Sequence, residues 1–130
     1  MAGAAERGSA AVAVRTCPAD LLARGRAGRH LPAGLSPAIV GQELRGRNGF
    51  TGVTITDALE AGALNRFGGT GQRAVTADAG MDLILCSARD PTQSQTAAAA
   101  LASALTSGQL DPAAFNAAFS RVTALRAGLF

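Results

Sequence analysis

Asp57 follows Val53-Thr54-Ile55-Thr56, a β-branched run that predicts a strand, and stands at its C-terminal end. A carboxylate on the last residue of a strand is rigidly held. It also faces the loops in which parallel α/β folds collect their functional groups. Ionised, such a group acts as a nucleophile or a general base. Position alone leaves two readings open: a catalytic carboxylate, or an Asp that caps the turn after the strand. Two further carboxylates lie near apolar runs. Glu60, three residues on, reads as a solvated loop or helix-start residue rather than a second acid/base group. Asp82 reads as the start of a strand, accepting from nearby backbone N–H groups.

Other candidates carry less chemistry. Gly68-Gly69-Thr70-Gly71 precedes a helix, as a phosphate cradle does, but lacks a P-loop Lys-Ser/Thr and a dinucleotide spacing. It reads as a flexible connection. Cys17 and Cys86 form no metal or redox motif, and Cys86 lies in an apolar run where a thiol behaves as a small hydrophobe. His30 is the sole histidine and has no catalytic neighbours in sequence. The residues define neither a metal site nor a cofactor site.

The elements that must position Asp57 are legible in the 130 residues. Residues 1–30 are rich in Ala, Gly and Arg, with five arginines against two acids, and read as a poorly ordered arm. From Leu31 onward the charges balance. Ser36-Pro37 starts a helix that Gly46 stops; the strand at 53–56 follows; Arg73–Ala79 is a short helix. Met81–Cys86 is a second strand, apolar on consecutive positions as in parallel sheets. An Ala-rich helix from Thr92 to Ser107 comes next. Asp111-Pro112 opens a last helix with Phe115, Phe119, Val122 and Leu125 as its buried stripe. Alternating helices and strands imply an α/β fold with parallel strands and right-handed crossovers.

Composition narrows the partners. Without Trp or Tyr there is no stacking platform for nucleic acid. No stretch approaches the roughly eighteen apolar residues of a membrane span. The run Ala10–Val14 is short for a signal-peptide core and is broken by Arg15. A soluble, cytoplasmic chain without nucleic-acid or membrane partners is expected.

Two longer stretches resemble glycoside hydrolase family 3, in its β-N-acetylglucosaminidase branch: Leu31-Pro32-Ala33-Gly34-Leu35-Ser36-Pro37-Ala38-Ile39-Val40, and Gly49-Phe50-Thr51-Gly52-Val53-Thr54-Ile55-Thr56-Asp57-Ala58-Leu59-Glu60. Ala79-Gly80-Met81-Asp82-Leu83-Ile84-Leu85 and the closing helix with Arg121-Val122 extend the likeness to about Leu129. The resemblance implies that 31–130 is the C-terminal portion of the catalytic (β/α)₈ barrel, its last two strands with their helices. It implies a retaining glycosidase releasing terminal β-N-acetylglucosamine, with Asp57 as nucleophile and no metal or cofactor. Ala61-Gly62-Ala63 stands where that branch has Met-Gly-Ala. The branch's acid/base His lies in a Lys-His-Phe-Pro-Gly-His-Gly-type loop, and that motif does not occur in the chain. The expected consequence is negligible activity for the isolated chain, with a carbohydrate substrate for the full-length parent. The alternative is a non-catalytic α/β remnant that acts by association, including self-association through exposed strand edges, or a truncated gene product.

Overall fold

The structure is a computed structural model that describes residues 31–78 and 80–129, together with the backbone of 12–14. The strand Val12–Val14 (β1) lies parallel to Thr54–Thr56 (β2), with Ala13 opposite Ile55. On the other side of β2 the apolar segment 81–86 approaches but makes only one bridge, Ile55 with Leu83, again parallel. Leu83 donates to Thr54 O at 2.9 Å and accepts from Thr56 N at 3.0 Å. One step further the ladder stops. Leu85 N–H donates to the Thr56 hydroxyl at 2.9 Å, and Leu85 O accepts from Leu59 N at 3.0 Å. The chain after β2 has already turned away at Asp57, so no backbone carbonyl is in register for a second rung.

A partial (β/α)₈ barrel with two full strands is therefore not formed. Among the described residues the protein is mostly helical, and 81–86 is extended without being a strand. A 3₁₀ turn, Ala33–Leu35, leads into a π-helix, Ala38–Arg47, and a second 3₁₀ segment spans Gly62–Phe67. Three α-helices follow: Thr70–Asp78 (α1), Pro91–Thr106 (α2) and Pro112–Ala127 (α3). The helix expected from Ser36-Pro37 is present, with Ser36 Oγ accepting from Ile39 N at 3.4 Å. Its wide turn is closed by Asn48 N donating to Glu43 O at 2.9 Å, two residues past Gly46. Helix α1 starts at Thr70, inside the expected connection. Asp90 and Asp111 cap α2 and α3 by accepting from Thr92 N and Ala113 N, with a proline at the first helical position of each.

The core has two parts that share Ile84. Leu35, Leu64 and Ala77 form one, lined by Leu31, Ala61 and Phe67. Leu59, Ala74 and Ala97 form the other, lined by Cys86 and Leu101. Helix α1 lies between them, giving Ala77 to one and Ala74 to the other. It packs closely on α2, where a Cβ on Gly71 would meet Ala100 Cβ at 2.9 Å. The buried stripe expected on α3 is not buried: the helix buries no residue, and Phe119 is 66% exposed. Phe115, Val122 and Leu125 are half-buried. The helix lies at the margin of the described structure rather than between two layers.

Candidate functional site

Asp57 occupies the position that the sequence predicts, directly after Thr56 at the end of β2, and is exposed. Its Oδ1 accepts from Ala58 N at 2.8 Å, while Oδ2 has no partner among the described residues. The contact with Ala58 is the local capping interaction that position alone allows. It engages one oxygen and leaves the other open to a reacting atom.

The residue beneath Asp57 is fixed from below. Leu59 is fully buried, and its carbonyl accepts from Arg73 Nη1 at 2.6 Å. The Arg73 guanidinium, itself buried, also donates to Gly68 O at 2.8 Å and Asn65 Oδ1 at 3.3 Å. One side chain of α1 thus ties both ends of the loop 59–68. Gly68, with φ of 89°, takes the left-handed turn that presents its carbonyl. The sequence places Arg73 only at the start of a short helix and assigns its side chain no role. Gly68-Gly69-Thr70-Gly71 is accordingly a carbonyl-presenting turn and a helix start.

Glu60 is not a free carboxylate. Ser87 donates to it through both its hydroxyl and, at 3.4 Å, its backbone N–H, and Gln93 Nε2 donates to Oε2 at 2.8 Å. Gln93 is buried, and its own oxygen accepts from Ala88 N at 3.0 Å. The Ser87 hydrogen bond first, then that from Gln93, hold the Glu60 carboxyl down at about 2. A group so acidic carries no proton at neutral pH and cannot protonate a leaving group. Its place is to staple the loop after β2 to the turn before α2.

Asp82 does accept from a backbone donor, Thr54 N at 2.9 Å, as its position predicts, but it does more. Its side chain is fully buried between two arginines. Oδ2 takes Arg45 Nη2 at 2.6 Å; Oδ1 takes Arg121 Nε at 3.0 Å and Nη2 at 2.7 Å. Burial pushes this carboxyl up. The Arg121 hydrogen bonds, the Thr54 N–H and the charges of both arginines outweigh burial and hold it below the usual carboxylate range. Cys86 is a free, half-buried thiol raised by burial and by the Glu60 charge. His30 and Cys17 lie outside the described residues. Among the described residues no group of His, Cys, Asp and Glu side chains could hold a metal ion, and no helix is long and apolar enough to cross a membrane.

Of the three carboxylates near the strand, two are committed to structure and one, Asp57, is open. Residues 11–125 match the family described as "Glycosyl hydrolase family 3 N terminal domain", and the chain belongs to that family. An uncharacterized secreted glycosyl hydrolase of Arthroderma benhamiae is 44% identical over 99 residues, which are 75% of this chain and 28% of that protein. Among solved structures, a family 3 β-N-acetylglucosaminidase from a Paenibacillus species superposes with a TM-score of 0.71 at 38% identity. The match covers 75% of this chain and 19% of that one. The β-N-acetylglucosaminidase of Thermotoga maritima gives 0.69 at 26% identity, covering 76% and 22%. The chain thus spans well under a third of these relatives.

The match corrects one expectation. A C-terminal portion of a barrel starting at Leu31 is overturned, because the family's N-terminal domain is matched from residue 11 onward. The physical counterpart is β1, which lies before Leu31 and pairs with β2.

Proposed function

We propose that this chain supplies a nucleophilic carboxylate, Asp57, to a family 3 glycosidase site for terminal β-linked N-acetylglucosamine. By itself it is non-catalytic and acts by association with the residues that complete that site. The observation that carries this reading is the division of labour among carboxylates. Asp57 alone keeps an oxygen unengaged at a strand end, whereas Glu60 is held ionised at about 2 and Asp82 is enclosed by two arginines.

In the retaining reaction Asp57 attacks the anomeric carbon as the glycosidic C–O bond breaks, and water later releases the glycosyl-enzyme. The departing oxygen needs a proton in the first step. Among the described residues no neighbour of Asp57 provides it: Glu60 has none to give, and the sequence lacks the histidine loop that the resemblance associates with this role. General-acid assistance is commonly worth about 10²–10⁴-fold, so its absence alone would make turnover very slow. The identity of the sugar rests on the 38% identical Paenibacillus enzyme.

The test is hydrolysis of a nitrophenyl N-acetyl-β-glucosaminide. The purified chain should show negligible turnover. Mixed with the part of the Paenibacillus enzyme that this chain does not match, it should gain turnover, which Asp57→Asn lowers by on the order of 10⁴-fold. Turnover by the chain alone that vanishes in Asp57→Asn would overturn the non-catalytic half of the reading. Turnover in the mixture that Asp57→Asn leaves intact would overturn the assignment of the nucleophile.

A further inference from the structure

Helices α1 and α2 each bury one polar side chain among alanines. In α1 it is Arg73, beside Ala74 and Ala77; in α2 it is Gln93, with Ala97 and Ala104 further along. A buried polar group is costly unless its hydrogen bonds are met. Both side chains meet theirs on the same short stretch of chain. Arg73 Nη1 donates to the Leu59 carbonyl at 2.6 Å, and Gln93 Nε2 donates to the Glu60 carboxylate at 2.8 Å. The Leu59 side chain, fully buried, packs with Ala74 of α1 and Ala97 of α2. Two consecutive residues are thus gripped by both helices, and they begin two positions after Asp57. The helices act as one platform, because at Gly71 α1 approaches Ala100 of α2 too closely to admit a Cβ. Gln93 is fixed in turn, its oxygen accepting from Ala88 N at 3.0 Å. Asp57 itself has only the local contact with Ala58 N among the described residues, so its carboxylate goes where the backbone of 58–60 is held.

We infer that Arg73 and Gln93 are positioning residues for Asp57, a clamp from α1 and α2 that holds the backbone after the carboxylate at its working height. The inference rests on the role of Asp57 proposed above and names the residues that aim it. Neither side chain touches the reacting atoms; each acts through the main chain of Leu59 and Glu60. The two grips differ in chemistry. Arg73 joins Leu59 O to Gly68 O and Asn65 Oδ1, so the loop 59–68 moves as one piece. Gln93, with Ser87, joins the same loop to the turn before α2 through the Glu60 carboxylate. A nucleophile must lie close to and in line with the carbon it attacks, and a misplacement of about 1 Å can cost about 10²-fold in rate.

The first measurement needs only the full chain: amide exchange at Ala58 and Leu59, whose N–H groups donate to Asp57 Oδ1 and to Leu85 O. Gln93→Glu sets a second carboxylate against Glu60, and Arg73→Lys leaves an amine that cannot span three acceptors. Each should speed exchange at these two amides by about tenfold or more, with α3 exchanging as in the parent. In Glu60→Gln combined with Gln93→Glu the amide and the carboxylate trade places, and the parent's exchange rates should return. The second measurement mixes each variant with the unmatched remainder of the Paenibacillus enzyme and follows hydrolysis of the nitrophenyl glycoside. Gln93→Glu and Arg73→Lys should lower kcat by about 10–100-fold with KM little changed, and the exchanged pair should restore it. Ala104→Gly, which weakens α2 at its far end, should keep the parent's kcat. Parent-like exchange at Ala58 and Leu59 in both single variants would overturn the inference. So would an equal loss of kcat in Ala104→Gly, a rise in KM alone, or an exchanged pair that stays fast at both amides. A mixture without turnover would overturn the association reading, and the two amides would still decide the clamp.

Discussion

Arg121 places Nε and Nη2 on the same oxygen of Asp82, at 3.0 and 2.7 Å, across 39 residues of sequence. Because α3 buries no residue of its own, this ion pair is a principal tie between that helix and the strand side of the molecule. Arg121→Met keeps much of the apolar stem and removes the charge. Among the described residues the fully buried Asp82 would then retain only Arg45 as a counter-charge. A loss of about 2 kcal/mol in a denaturant melt is expected. Amide exchange across Pro112–Ala127 should accelerate more than across α2. Combined with Asp82→Asn, the two losses should fall short of additivity, since both remove the same contact.

Acid sensitivity should follow Glu60 and Asp82. Each carboxyl titrates lower in the folded chain than in the unfolded one, so each stabilises the fold above its ordinary value. That contribution is lost as pH falls toward the folded value. For Glu60 the window runs from 4.5 down to about 2. For Asp82 it opens at 3.8. Urea midpoints taken from pH 7 to pH 2 should stay level until about pH 4.5 and then drop. Glu60→Gln should lower the plateau and flatten the upper part of the drop. An unchanged profile in that variant would show that the Ser87 and Gln93 contacts do not stabilise the fold.

Asp78 behaves in the opposite sense. Burial first, and then the Asp82 charge, raise its carboxyl, so the ionised form costs stability at neutral pH and protonation relieves that cost. It also ends α1, where a negative charge opposes the helix dipole. Asp78→Asn should stabilise the chain at pH 7 by at least about 0.3–1 kcal/mol from the dipole alone. Below the ordinary value of 3.8 the gain should vanish, because Asp78 is then protonated in both states. A variant less stable than the parent at pH 7 would contradict the assignment.

The sequence made some of this legible because some of the determinants are local. Ser36 and Asp111, each before a proline, start helices where expected, because a cap and a fixed φ act within one turn, while Asp90 caps a helix that begins one residue before the expected Thr92. The β-branched run 53–56 produced β2 and placed Asp57 at its end. What failed depends on partners distant in sequence. Met81–Cys86 has the apolar pattern of a buried strand, yet a strand also needs a neighbour in register, and the chain leaves β2 after Thr56. The Phe115–Leu125 stripe has helical periodicity, but periodicity cannot reveal whether a second layer covers it. Arg73 and Arg121 have no partners assigned from sequence, because nothing local marks the Leu59 carbonyl or Asp82 as their targets.

Gly80 offers a direct test of packing between the π-helix and the approach to residues 81–86. A Cβ at Gly80 would meet Val40 Cβ at 2.9 Å and Cγ1 at 3.1 Å, and Val40 is 1% exposed, so it has no open space to retreat into. Gly80→Ala should therefore cost about 1–3 kcal/mol through overpacking, despite the entropy that alanine saves in the unfolded chain. Val40→Ala alone should also destabilise, by leaving a cavity of two methyl groups. In the double variant the new methyl occupies part of that cavity, and the combined loss should be smaller than the sum. Gly69→Ala is the control, because nothing lies within 4 Å of its added Cβ. Additive losses at positions 40 and 80 would mean that the two residues do not share the contact.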